Sequence, residues 1–526
     1  MFLPFKIDTP TFVHLMIDRK QITKSILFLG LLLIRIIPVL YFCRAGRTGV
    51  EAVGEMDALL YLSGAREILA TGTNQFNFFP PLNFLFVATF LYFAHGEVIG
   101  PLLVIASLGW LTVIGIYLLT KDLFGEKAAI IAAIIYGLYP DFIFYGSTFY
   151  PETLAIFLMV FSFLMLEKYF YCKRLTDIVL GGILWGLASL TRGGLHYFSI
   201  VIALTIFISH FKEGFKFSLK PAVVFFLITY FTFLMLASII PETHGSTSLG
   251  SKSGIGSIIH GANRLIVCNT DYGNVRGNIF YDINYCKEKW PAGSQIDMQE
   301  LFKLDTAQMY LKVIEFIAYN PATYIKNSFI KLSNFWAPHS NPYLIFYIKG
   351  RLQQGYAIFS ATACFMISLM YMIIVCGGLW GISISKEPFR PLAISFIIFY
   401  CIMIFLTVGN SKLRLPLMPF FIIYCSYFIA CLQDGRWKNA LSNKVTAILI
   451  LIFLANSIYK YQEIRLSPKE IQVQAVELCN QLGFPKTALY LIDQGKKFAY
   501  SAIEKERLNS AEAAAQKKLS ATHDAK

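Results

Sequence analysis

Long apolar runs recur along the whole chain and are separated by shorter polar segments. A transmembrane helix needs about 20 mostly apolar residues, and the first such run lies at Ile22–Phe42. Ten further runs predict additional spans, at Val98–Thr120, Ala128–Tyr145, Thr153–Phe170, Ile178–Leu190, Leu195–Phe211, Pro221–Ile240, Tyr356–Ile382, Pro391–Val408, Leu415–Leu432 and Val445–Tyr459. The pattern therefore predicts an all-α polytopic membrane protein with about 11 transmembrane helices.

A further apolar segment, Pro81–Ala94, is shorter than a span, and the charges of the loops decide how it is interpreted. If this segment does not cross, five short basic-rich loops lie on the cytoplasmic side, as the positive-inside rule expects. These loops are Lys121–Lys127, Lys168–Asp177, Lys212–Lys220, Lys386–Arg390 and Arg436–Lys444. If it crosses, all five move to the outer side. We therefore predict an interfacial or re-entrant helix on the outer face.

The composition agrees with this topology. The 526 residues are 56% hydrophobic and only 15% charged, whereas roughly a quarter of the residues of a soluble protein are charged. The formal net charge of +14 comes from residues gathered in short loops, so it indicates membrane orientation rather than nucleic-acid binding. Arg19, Lys20 and Lys24 precede the first span, and Cys43–Arg47 is not a small-residue cleavage site. We expect a retained anchor with a cytoplasmic N-terminus.

The predicted spans divide the chain into four regions. Residues 1–240 form an N-terminal transmembrane catalytic module, and its first outer loop covers 44–97. Residues 241–355 form a large extracytoplasmic loop, 356–460 contain the C-terminal spans, and 461–526 form a polar helical tail. The span count places both the large loop and the tail outside.

The large loop is long enough to form an ordered cap. It opens with a Gly/Ser-rich segment and ends with two predicted helices, Asp297–Tyr319 and Pro321–Trp336. Its two cysteines, Cys268 and Cys286, fit no zinc-binding spacing. Two interpretations of them stay open, a disulfide and two free thiols.

The first outer loop contains the first candidate for chemistry. It begins with an amphipathic helix that carries Asp57 in its first turn, breaks at Gly72 and restarts at Pro80-Pro81. A carboxylate at the membrane surface beside a polar loop is a candidate general base. The helix dipole also favours an acid in a first turn, and this structural explanation of Asp57 stays open.

A second acid occupies an equivalent place. Glu152 follows Pro151 at the start of a predicted span on the same face, next to the aromatic residues Phe149 and Tyr150. Carboxylates at the boundary of a membrane are costly and are functional candidates by default. We expect Asp57 and Glu152 to line one outward-facing cleft.

Basic residues on the same predicted face suggest an anionic substrate. Arg192 lies in a Leu-Thr-Arg-Gly-Gly segment, and Lys412 and Arg414 precede a proline-marked helix start. The planar guanidinium group suits phosphate, although contact with lipid headgroups explains each cation singly. The full set is Arg66, Arg192, His196, Lys252, Arg264, His339, Lys412 and Arg414.

One more cation lies inside the first span. Arg35 is in the middle of an apolar run and needs a partner within the bundle. We expect that partner to be an Asp or Glu on a neighbouring helix.

Five short motifs, taken in order, resemble the GT-C membrane glycosyltransferases, in particular the branch of the lipid A aminoarabinose transferases and protein O-mannosyltransferases. They are Gly54–Tyr61 with Gly72 and Pro80–Leu82, Tyr150–Leu154, Gly186–Arg192, Asn320–Tyr324 through Trp336, and Arg414–Pro419. The resemblance covers Ile22–Tyr459 and not the tail. The first loop has Glu-Met-Asp where the mannosyltransferases have an Asp-Glu pair, so their substrates are not carried over.

This resemblance implies a GT-C-like bundle with interfacial helices in the first outer loop. It implies a polyprenyl-phosphate-linked sugar donor and a lipid, glycan or protein acceptor at the outer face of a bacterial inner or plasma membrane. The implied catalytic residues are Asp57 and Glu152. The implied substrate- and phosphate-binding residues are Arg66, Arg192, Lys412, Arg414 and Tyr61. It implies no cofactor and no metal site, although two acids are compatible with a divalent metal.

Three other functions stay open at this point. An oligosaccharyl- or phospho-group transferase has a similar architecture. A transporter or flippase of lipid-linked sugars is also a polytopic protein, but transporters bind near the bilayer midplane on broken helices. A receptor or scaffold that uses the long loop and tail explains neither the acids nor the basic set. The position of the acids at the outer ends of helices favours surface chemistry.

Overall fold

The computed structural model describes most of the spans and parts of the large loop and tail. The described residues are 19–44, 56–73, 79–239, 321–340, 342–343, 357–407, 409, 411–435, 443–462 and 502–524, with single positions between 308 and 318 and between 476 and 493. All regular elements in these ranges are helices. The protein is therefore all-α and polytopic, as the apolar pattern predicts.

Ten of the helices in the described ranges belong to the first half of the chain. They are α1 Arg19–Arg44, α2 Met56–Thr71, α3 Leu82–Phe93, α4 Ile99–Phe124, α5 Glu126–Leu138, α6 Pro140–Tyr145, α7 Glu152–Cys172, α8 Leu175–Thr191, α9 Gly194–His210 and α10 Phe215–Ile239. The helix α2 is the amphipathic helix predicted for the first outer loop.

The second half continues with α11 Pro321–Phe335, α12 Ala357–Ile384, α13 Arg390–Leu406, α14 Met418–Gln433, α15 Lys444–Gln462 and α16 Ala502–Asp524. A 3₁₀ segment, Ser411–Leu417, leads into α14. The helix α11 is the second of the two helices predicted at the end of the large loop. Cys268, Cys286, Lys252 and Arg264 lie outside the described residues.

Seven of the described helices are long and apolar enough to cross a membrane. They include or overlap the predicted spans in α1, α4, α7, α9, α10, α12 and α14. The helices α8 and α13 are apolar but shorter, at 17 residues each, and α15 is a 19-residue helix outside these seven. The 12 residues of α3 span about 18 Å at 1.5 Å per residue, less than the ~30 Å of a hydrocarbon core.

One predicted span is divided. The segment Ala128–Tyr145 consists of α5 and α6, because Pro140 begins a new helix after the extended backbone of Tyr139 (φ −66°, ψ 119°). Proline lacks the N–H group that continues a helix, so the chain breaks there. The break redirects α6 and the loop that leads to Glu152.

The described contacts of Arg35 differ from the sequence expectation. Its guanidinium is buried and donates to the backbone carbonyls of Phe142 and Tyr136 rather than to a carboxylate. The ion pairs found among the described residues do not include it. The expected Asp or Glu partner is thus wrong, because backbone carbonyl groups at a helix break accept the hydrogen bonds of Arg35 instead.

Aromatic side chains join the two halves of the bundle. Phe163 of α7 packs against Trp185 of α8 (ring centroids 5.2 Å apart) and against Phe420 of α14 (4.9 Å). Phe198 of α9 packs against Phe396 of α13 at 4.6 Å. Because such pairs are worth about 0.5–1.5 kcal/mol beyond their buried area, this cluster fixes the positions of the helices whose outer ends carry the candidate site.

Candidate active site

An ion pair lies where α7 begins and α8 ends. Glu152 is in the first turn of α7 and Arg192 directly follows α8, in extended backbone (φ −145°, ψ 99°). Arg192 Nη1 donates to Glu152 Oε1 at 3.0 Å. Glu152 is buried, and its other oxygen, Oε2, accepts no hydrogen bond within the described part of the chain. One acceptor oxygen is therefore available for a ligand.

Tyrosines from three further segments surround Arg192. The side chains of Tyr61, Tyr145 and Tyr400 lie within electrostatic range of its guanidinium. Tyr61, on α2, also packs against Phe84 of α3, with ring centroids 4.8 Å apart. Tyr61 of α2 is thus near the ion pair, and the shared cleft of Asp57 and Glu152 stays a prediction.

The helix α3 holds the loop that leads to Glu152. Asn83 is buried, and its Nδ2 donates to the carbonyl oxygen of Phe149 at 2.9 Å. The ring of Tyr150 packs edge-on against that of Tyr145 at 5.1 Å. These contacts connect the short apolar helix of the first loop to the backbone three residues before the acid.

Lys412 approaches the same loop from the second half of the chain. Its Nζ lies 5.0 Å from the centre of the Tyr150 ring. A cation over an aromatic face is attracted by the ring quadrupole. The structure therefore places Lys412 beside Tyr150, two residues before Glu152, although it comes from the other half of the chain.

Arg414 occupies a different environment from Lys412. It is buried, and its Nη1 donates to the carbonyls of Phe335 and Ala337, while Nη2 donates to that of His339 at 3.1 Å. Its guanidinium also lies 3.8 Å from the centre of the Tyr371 ring. The last carbonyls of a helix lack intrahelical partners, so Arg414 fixes the chain after α11. These contacts favour a positioning role over direct contact with a phosphate.

The remaining residues predicted for the site, Asp57, Arg66 and Tyr61, are all on α2. Asp57 lies in the first turn of α2, as expected, but its side chain lies outside the described part of the structure. Arg66 is exposed on the same helix, whereas Tyr61 is buried. Five residues turn an α-helix by about 500°, so Arg66 and Tyr61 are on different faces.

His339, the other described cation candidate near Arg414, does not carry a charge at neutral pH. Burial, with the nearby charges of Arg414 and Lys460, lowers the pKa of His339 to about 3. A neutral imidazole does not contribute to binding an anion by charge.

Sequence reasoning did not single out Asp141. It is buried in the first turn of α6, within electrostatic range of Arg414 and beside Ser340. The signal was present, because Asp141 follows Pro140 as Glu152 follows Pro151.

No cluster of three His, Cys, Asp or Glu side chains suited to a metal ion occurs among the described residues.

Residues 79–239 match the family model described as dolichyl-phosphate-mannose-protein mannosyltransferase. This segment, less than a third of the chain, is similar to that family. Glu152, Arg192 and Asn83 lie inside the matched segment, whereas Asp57 and Lys412 lie outside it. No curated protein matches the chain.

Solved structures to which the chain is similar include AglB, the oligosaccharyltransferase of Archaeoglobus fulgidus, in complex with an inhibitory peptide and a dolichol-phosphate. It is 14% identical at a TM-score of 0.40, over 93% of this chain and 64% of that one. ArnT from Cupriavidus metallidurans bound to undecaprenyl phosphate is 13% identical at a TM-score of 0.40, over 94% of this chain and 78% of that one. The present chain thus covers less than two thirds of the archaeal enzyme. At these TM-scores the similarity is loose, and no conclusion below depends on it.

Proposed function

We propose that this protein is a membrane glycosyltransferase that moves a hexosyl or pentosyl group from a polyprenyl-phosphate donor to a lipid, glycan or protein acceptor. The proposed reaction takes place at the extracytoplasmic face of a bacterial inner or plasma membrane. The observation that supports it best is the Glu152–Arg192 pair, which lies at one end of the bundle within the segment matched by the family model.

Arg192 and Lys412 are the proposed contacts of the donor phosphate. Arg192 has one terminal nitrogen on Glu152, and a guanidinium has five N–H donors, so others remain for a phosphate. Lys412 adds a second positive charge beside Tyr150. As the bond between the sugar and the phosphate breaks, negative charge grows on the leaving phosphate, and fixed cations stabilise it. Tyr61 and the exposed Arg66 are weaker candidates on α2.

Asp57 is the proposed general base, and Glu152 the proposed contact of the acceptor. The attacking hydroxyl or amine loses a proton as it bonds to the anomeric carbon, and a carboxylate placed within reach accepts that proton. Glu152 Oε2 lies beside Arg192 with no hydrogen bond from the described residues, which suits a hydroxyl donor of the substrate. Arg414 is proposed to act indirectly, by holding the backbone after α11.

A transporter or flippase of lipid-linked sugars is the alternative. It requires a binding site near the bilayer midplane, whereas Glu152 and Arg192 are at the termini of their helices. The helix-end position favours chemistry at the membrane surface.

The test is the Asp57→Asn variant, which keeps the size of the side chain and removes the proton acceptor. The rate of sugar transfer from a polyprenyl-phosphate donor is expected to fall by about 10²–10⁴-fold. Mass spectrometry of envelope lipids and glycans measures this rate. Glu67→Gln, a change of an acid on the same helix, is the matched control and is expected to retain activity. Near-normal transfer in Asp57→Asn would contradict the proposed role of this acid.

A further inference from the structure

Arg35 is a charged residue with no role in the proposed transfer. The ion pairs among the described residues do not include it. It lies in α1, whose neighbouring residues Leu33 and Ile37 are 49% and 59% exposed on the outside of the bundle. The Arg35 side chain turns inward instead and is 1% exposed. A buried guanidinium needs acceptors, and here they are the carbonyl oxygens of Phe142 and Tyr136, the latter at 3.1 Å from Nη2.

The Tyr136 acceptor exists because of Pro140. In a continuous helix the carbonyl of residue 136 accepts from the N–H of residue 140, and proline has no N–H. Only a long contact from the Tyr139 N–H, at 3.4 Å, remains within the backbone. Arg35 therefore supplies the donor that Pro140 removes.

The second acceptor lies at the end of the next helix. Phe142 is in the last turn of the six-residue α6, and its carbonyl also accepts from the Gly146 N–H at 3.1 Å. Carbonyl ends of helices carry partial negative charge and favour a cation. One guanidinium thus joins the ends of α5 and α6 across the break.

The surroundings leave little room for any other arrangement. A Cβ atom at Gly109 of α4 would lie 3.1 Å from Arg35 Nη1, and one at Gly146 would lie 3.3 Å from it. The same Gly109 position is 3.7 Å from Cγ2 of Thr153, the residue after Glu152. The guanidinium therefore fills a space bounded by α4, α6 and the start of α7.

We propose that Arg35 is a positioning residue that fixes α6 and the loop 146–151, and through them Tyr145 and Glu152, against Arg192. This connection between the first span and the acid extends the proposed function and rests on it for its effect on catalysis. Arg35 itself contacts no substrate.

The test compares three variants of the full-length protein in detergent. Arg35→Met removes the donors at similar length, and Arg35→Lys keeps a charge and a donor. Trp110→Phe is the matched control, because Trp110 Nε1 donates to the Phe28 carbonyl at 2.9 Å and so makes another side-chain-to-carbonyl bond between α1 and its neighbours, away from α6.

Hydrogen–deuterium exchange reports on the geometry without any assay of activity. The Gly146 and Ser147 N–H groups donate to the carbonyls of Phe142 and Phe144. In Arg35→Met their exchange is expected to accelerate by about tenfold or more, because local opening costs less free energy when a supporting hydrogen bond is lost. Arg35→Lys is expected to be intermediate and Trp110→Phe to match the wild type. Equal exchange of this loop in Arg35→Met and Trp110→Phe would overturn the proposal.

Binding of undecaprenyl phosphate and transfer are then measured on the same preparations. A positioning role predicts that Arg35→Met keeps the wild-type number of binding sites per protein while transfer per bound donor falls at least tenfold, with partial rescue in Arg35→Lys. A loss of binding sites in proportion to transfer would show misfolding and contradict a positioning role. If the wild type binds no undecaprenyl phosphate, the proposed function fails, whereas the exchange result still decides the role of Arg35.

Discussion

Arg192 Nη1 and Glu152 Oε1 are 3.0 Å apart, and the two side chains are only 13% and 4% exposed. The pair joins the C-terminal end of α8 to the first turn of α7, and Tyr61 and Tyr400 lie within electrostatic range of its arginine. In a buried pair each charge depends on the other, because removing one partner leaves the other desolvated and unpaired. The pair therefore has a structural consequence as well as a proposed chemical one.

The first prediction concerns the stability of this pair. Glu152→Ala is expected to lower the free energy of unfolding by about 3–5 kcal/mol, because Arg192 remains buried without its partner. The double variant Glu152→Ala/Arg192→Met is expected to be more stable than that single variant, since no charge is left unpaired. Thermal unfolding in detergent measures both. A double variant less stable than Glu152→Ala would contradict the coupling, and transfer is expected to be lost in both proteins.

The second prediction separates Lys412 from Arg414. Lys412→Ala is expected to weaken binding of a polyprenyl phosphate, because it removes the positive charge beside the Tyr150 ring. Arg414→Lys removes part of a fork that donates to three carbonyls and is expected to lower the free energy of unfolding by about 1–3 kcal/mol.

Donor titration and thermal unfolding on the same two preparations check this contrast. If Arg414→Lys is fully stable and loses donor affinity, the phosphate role predicted for Arg414 from the sequence is correct and the positioning role is not. Unchanged affinity in both Lys412→Ala and Arg192→Ala would remove the phosphate site from these residues.

The third prediction concerns topology. The charge pattern places Lys121, Lys173, Lys216 and Arg436 in the cytoplasm and the loop between α3 and α4 outside. Lys216 and Glu97 are both exposed, so a cysteine at either position is accessible from its own side. A membrane-impermeant thiol reagent applied to intact cells is expected to label Glu97→Cys and not Lys216→Cys. The reverse pattern would mean that α3 crosses the membrane.

The fourth prediction is a dependence of stability on pH. Burial lowers the pKa of Lys331, on α11, to about 7, whereas an unfolded lysine titrates near pH ~10.4. Between these values the unfolded chain binds more protons at this position than the folded chain does. The contribution of Lys331 to the free energy of unfolding therefore becomes more favourable as the pH rises through this window.

Thermal midpoints of the wild type and Lys331→Met measure this effect at pH values between about 7 and 9.5. The difference is expected to shift in favour of the wild type with rising pH. Lys326→Met, a change of an exposed lysine on the same helix, is the control and is expected to follow the wild type. A pH-independent difference for Lys331→Met would contradict the lowered pKa.

The sequence by itself determined the class of the protein and the elements that carry the candidate site. Apolar runs of span length gave the helices, because a bilayer core demands internally hydrogen-bonded apolar segments. Local signals in the sequence also agree with the structure. The helix α3 is short, and helices begin at Pro140 and directly after Pro151. A resemblance to a known family was also readable, since short motifs in a fixed order carry it, and residues 79–239 match a family model.

The tertiary structure decided which side chains meet. The sequence placed Lys412 and Arg414 two residues apart as equivalent cations, yet Lys412 faces Tyr150 and Arg414 faces the carbonyls after α11. It also assigned Arg35 a carboxylate partner, where the bundle provides carbonyl oxygens. The reason is physical: a break such as Pro140 releases backbone acceptors, and only the packing of distant helices determines which buried donor reaches them.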